Sequence, residues 1–130
     1  MASYNELISL TRKAGADLRL MRFHLVRVAT VPDLINIASH AAASLANGPI
    51  GVLQNKPNSL QAATVAFLGE SKVVAGGSIT ANVMITTNGS GRATAAVSGD
   101  IIVGRAMEAA GADGDIIRAF LQPPVLIHRT

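Results

Sequence analysis

Two carboxylates in a repeated setting are the first residues whose type and spacing could do chemistry. The tetrapeptide Gly-Asp-Ile-Ile occurs at 99–102 and again at 114–117, placing Asp100 and Asp115 in matching contexts. Paired carboxylates can divide acid and base roles when their environments push their pKa values apart. An Asp in a turn also accepts hydrogen bonds from its own backbone, and after Gly99 and Gly114 this is the favoured reading. His24, His40 and His128 lie far apart, lack H-x-x-x-H or H-E-x-x-H spacing, and have no cysteine to complete a zinc set. Gly89-Ser90-Gly91-Arg92 runs on into Ala93 and Thr94, so it is neither a Walker loop nor G-x-G-x-x-G. Asn88-Gly89 reads instead as a hairpin turn. No G-x-S-x-G nucleophile elbow is present. The expectation is a protein that is not an enzyme, with no cofactor, no metal and no small-molecule substrate.

The elements that would hold these residues read as short strands. Asp113-Gly114 tolerates the positive φ angles of tight turns, so the repeat suggests two antiparallel strands over 101–108 and 116–121. On the second, Ile117, Ala119 and Leu121 share one face while Ile116, Arg118 and Phe120 share the other. One face can pack on the core and the other against a neighbouring copy. A short helix over 105–112, closed by Gly111, is the alternative for the intervening segment. Upstream, strands are expected over 50–54, 64–68, 72–75, 83–87 and 93–97, separated by Asn-, Gly- and Ser-rich turns that include Gly-Glu-Ser at 69–71. A strand is also read over 18–28, although a helical face fits there too. A loop or short helix is read over 41–49. The fold class is therefore mainly all-β: a small β-barrel or sandwich of short antiparallel strands, with an extended, less regular N-terminal segment. One domain is expected over 1–130, with a basic arm at 1–30 and a β core at 48–124.

Composition bears on partners. Apolar residues make up 49% of the 130 residues and charged residues only 15%, where about 25% is usual. So little charge suggests that other copies or a larger assembly cover part of the surface, the alternative being that the many alanines sit exposed without penalty. No apolar run approaches a membrane span and no leader pattern opens the chain, so a soluble, unprocessed protein is expected. The net charge of +3 resides in the first 30 residues, where Arg12, Lys13, Arg19, Arg22 and Arg27 face only Glu6 and Asp17. Such a segment suits an arm that meets an acidic surface, or else a solvated strand or helix face with no partner, and nucleic acid is the alternative partner. Against the latter, one Tyr, three Phe and no Trp leave no stacking platform.

Three segments carry a resemblance: PIGVLQNKP at 49–57, SKVVAGGSI at 71–79, and GRATAAVSGDIIVGRAMEAAGADGDIIRAFL at 91–121. In this order they resemble the small head decoration, or capsid cement, proteins of tailed bacteriophages. RKAGAD at 12–17 is similar to an early segment of the same family. The resemblance implies a virion protein, made in the host cytoplasm, that docks on the exterior of the assembled capsid and reinforces it without catalysis. It implies the major capsid protein as partner, together with self-association, most often as a homotrimer. On that expectation Arg12, Lys13, Arg19 and Arg22 are the candidate capsid contacts, and Ile116, Phe120, Ile101 and Val103 the candidate subunit interface. Asn88, Gly89, Gly99, Asp100, Asp113 and Gly114 are the expected turn residues.

Overall fold

A computed structural model describes residues 7–28, 34–37, 49–97 and 100–126. They contain no helix and form nine strands: β1 (Ile8–Ala14), β2 (Leu25–Val28), β3 (Leu34–Ile37), β4 (Gly51–Leu53), β5 (Ala62–Gly76), β6 (Met84–Thr87), β7 (Ala93–Ala95), β8 (Ile101–Ala106) and β9 (Asp113–Leu126). The strand ladders close twice. The first circuit runs β1, β3, β2, β4, β5 and back to β1, giving a five-stranded barrel. The second runs β5, β7, β6, β8, β9 and back to β5, its β5–β7 side resting on the single parallel pair Ala75 and Ala93. Both circuits therefore share β5.

A strand can serve two circuits only by bending, and Gly69 is where β5 bends. Its φ of 113° lies in the left-handed region that a Cβ disfavours. Before it, β5 pairs with β1 and β4; from Gly69 onward it pairs with β9. Side-chain alternation then feeds two cores. Val26, Leu53 and Val65 join Ala14, Leu18, Ile35 and Ala63 inside the first circuit. Leu25, Val52 and Ala66, one residue out of phase, join Val73, Ile85, Val103, Ile117 and Leu121 in the second core. The wall between the cores is thus buried on both faces. Gly51 sits in this wall, where a Cβ would lie 2.2 Å from the Ala66 carbonyl oxygen.

Several expectations are corrected. Gly-Glu-Ser at 69–71 does not separate two strands, because the glycine bends β5 without ending it. The strand expected over 18–28 begins only at Leu25; the residues before it form turns. Arg12 and Lys13, assigned to a basic arm, stand on β1, hydrogen-bonded to β5 in the first barrel. Asp113-Gly114 is not the turn between β8 and β9. Asp113 pairs with Gly76, and Gly114, at φ 95°, lies where the register shifts between Val74 and Gly76. The glycine's freedom is used for a bulge, and the chain turns earlier, where Ala110 bridges Ile79. No helix forms over 105–112. The expectations for Gly99, His40, His128 and most of 41–49 lie outside the described residues.

Candidate interaction surfaces

The two carboxylates hold turns. Asp100 accepts a hydrogen bond from the Val97 N–H at 2.8 Å, and Asp115 accepts from those of Gly111 and Ala112 at 2.9 and 3.1 Å. Asn88 does the same in the β6–β7 hairpin, where its side-chain oxygen accepts from Ser90 and Arg92 at 2.8 and 3.0 Å. Gly91 rather than Gly89 takes the positive φ, 77°. Among the described residues no three His, Asp or Glu side chains gather as a metal set.

His24 is buried and joins the two barrels. Its Nε2 accepts from the Arg92 guanidinium at 3.5 Å, and its Nδ1–H donates to the Arg22 carbonyl at 3.3 Å. Arg92 in turn binds Asp113 at 2.7 Å. Burial, with a smaller contribution from the Arg92 charge, lowers the His24 pKa below its ordinary 6.5. The ring therefore acts as a neutral link between the start of β2 and the β6–β7 hairpin.

The candidate subunit face is the outside of the second barrel. Strand register aligns Met84, Arg105, Phe120 and Glu70 in one row across β6, β8, β9 and β5. Adjacent rows on the same face hold Arg118 beside Lys72, and Ile116 beside Val74. Ile116 and Phe120 are 55% and 52% exposed, and Met84 and Met107 are exposed beside them. Arg118 binds Glu108 at 2.7 Å and reaches Glu70 at 3.4 Å, pinning charge in the middle of this apolar surface. Beside Phe120 a groove of about 430 Å³ is lined by Asn82, Arg105, Met107 and Gln122. Ile101 is half-buried. Val103 is withdrawn from the interface set because it is 1% exposed and packs in the second core. A bulge between Ile102 and Gly104 breaks the alternation and turns both Ile102 and Val103 inward.

The four candidate basic contacts occupy different settings. Arg12 and Lys13 are exposed neighbours on β1 and so point to opposite sides of the strand. Arg19 grips Asp17 through two hydrogen bonds of 2.9 and 2.8 Å, which hold that carboxyl at about 2. Arg22 donates its Nε–H to the Gln54 carbonyl at 3.1 Å and sets its guanidinium carbon 4.6 Å from the centre of the Phe23 ring. Lys72, from β5, brings its ammonium to 6.0 Å from the same ring. Phe23 holds a left-handed φ of 67°, a conformation costing a non-glycine residue about 1–3 kcal/mol. Two backbone bonds fix it: its N–H donates to Leu53 at 2.8 Å, and its carbonyl accepts from Val74 at 3.0 Å. Reading the sequence missed this cluster, since nothing local links Lys72 to residues 22 and 23.

The class this geometry defines is an all-β protein built on a closed five-stranded barrel, with a second circuit of strands that shares β5. Among solved structures, the crystal structure of the head fiber gp8.5 N base of bacteriophage phi29 has this fold, with a TM-score of 0.65 over 90% of this chain and 95% of that chain at 22% identity. At this identity the likeness is one of fold. No protein-family model and no curated protein matches the chain.

Proposed function

We propose that this chain is a structural protein of a tailed-phage head that docks on the exterior of the assembled capsid and stabilises it. The observation that carries the reading is the fold shared with the phi29 head-fiber base over 90% of the chain. The ordered PIGVLQN, SKVVAGG and SGDIIVGRA segments point the same way. Stabilisation follows from mass action: a protein that binds only the assembled state shifts the equilibrium toward it, and many copies add their effects. Two surfaces are required. The outside of the second barrel, with Ile116 and Phe120, joins copies into a small homo-oligomer, for which a trimer is the working geometry. The basic side, which includes Arg22, meets the major capsid protein.

Light scattering on the purified chain, with and without fragmented DNA at low salt, tests self-association and the nucleic-acid alternative together. A discrete oligomer whose mass ignores DNA supports the proposal, whereas a monomer that gains mass with DNA replaces it. Gold-labelled antibody against the chain should decorate intact heads of the phage that encodes it. Labelling only after the heads are disrupted would remove the exterior location.

A further inference from the structure

We infer that Arg22, Phe23 and Lys72 form a docking site for an acidic protein segment. The fold brings together two cations from distant parts of the chain, one on the turn before β2 and one on β5, and sets both against a single aromatic ring. Neither makes an ion pair with a carboxylate among the described residues. Four acids among the described residues are engaged elsewhere: Asp17 with Arg19, Glu70 and Glu108 with Arg118, and Asp113 with Arg92. Two cations set against one ring without a carboxylate partner make a local positive potential, which a carboxylate arriving from outside would complement.

The cluster is also preorganised. Phe23 keeps its left-handed backbone because Leu53 and Val74 hold its two polar groups, and backbone strain of this kind concentrates at functional positions. Arg22 is anchored through Nε to Gln54, which leaves the two terminal nitrogens for a forked bond to a carboxylate. Lys72 supplies a compact second charge for a neighbouring acid. Phosphate backbones fit less well, because two cations provide few phosphate contacts and the ring, already approached by both, offers no free stacking platform for a base.

The inference refines the capsid contact proposed above, placing it at the β5 edge of the subunit face, where Lys72 neighbours Arg118, and it rests on that reading only for the identity of the partner. Its test uses a labelled oligoglutamate peptide, read by fluorescence anisotropy on the full chain at low salt. The double change Arg22→Gln, Lys72→Gln should weaken binding about tenfold, the size expected when a charge-assisted contact is lost. Arg27→Gln with Lys56→Gln, which removes the same net charge elsewhere, should change it less than about twofold. Thermal melts of both variants establish that each is folded. Equal losses in the two variants, or no peptide binding by the unaltered chain, would overturn the site. So would displacement of the peptide by an oligodeoxynucleotide of equal charge at the same concentration, which would point to phosphate instead. Docking on phage heads that survives the Arg22, Lys72 change sinks the site while sparing the wider proposal. A chain that binds the peptide through this site but ignores the heads does the reverse.

Discussion

Gly104 and His24 show how single residues hold this molecule. A Cβ on Gly104 would lie 2.3 Å from the Phe120 carbonyl oxygen, and that oxygen belongs to a paired strand with no room to retreat. Gly104→Ala should therefore destabilise the fold by about 1–3 kcal/mol, read from the denaturant midpoint at unchanged slope. His24 makes stability depend on pH. With its folded pKa below the ordinary 6.5, the unfolded chain binds the proton more readily, so stability rises with pH through that window. The His24 contribution is complete above about 6.5 and declines as the pH falls below it, levelling off once the folded-state pKa is passed. Melting temperatures between about pH 5 and 7 should show this slope, and His24→Gln should flatten it; an unchanged slope would assign the effect to other groups.

Among the elements, β9 carries the sharpest division of labour: Ile117, Ala119 and Leu121 lie inward while Ile116 and Phe120 face out. Ile116→Asp should leave the melting temperature nearly unchanged and shift the solution mass toward monomer, as light scattering would show. A variant that keeps its oligomer mass would remove this face from the interface. The two faces of β9 could be read beforehand because the register from Ile116 to Leu121 is unbroken, so a period of two assigns each side chain to its face. β4, β6 and β7 were legible for a related reason, being bounded by turn residues such as Asn88. β1 was not, since consecutive exposed charges at Arg12 and Lys13 resemble a solvated arm, and only tertiary pairing with β5 makes them a strand. β5 was split in two because Gly69 carries the same signal whether it ends a strand or bends one. Val103 was misplaced because a bulge shifts the alternation by one residue and leaves no mark in residue type. The turn roles of Asp100 and Asp115 followed from chemistry within a few residues. The meeting of Phe23 and Lys72 depends on how two barrels join, and no spacing encodes it.

For the molecule as a whole, the shared β5 ties both cores to one backbone. Leu53→Ala in the first core and Leu121→Ala in the second each empty a fully buried site and should each cost about 2–5 kcal/mol. Because neither barrel can open without disturbing β5, both variants should lower a single calorimetric transition whose calorimetric and van't Hoff enthalpies agree. Two separable transitions, each sensitive to one variant only, would show that the barrels unfold independently. The same strand has a mechanical meaning. A pull that enters at one barrel and leaves at the other travels along the β5 backbone, parallel to the ladders that flank it with β1 and β9. Such a load is shared by many hydrogen bonds in shear at once, instead of peeling them one after another, which is the arrangement of a tether built to resist tension.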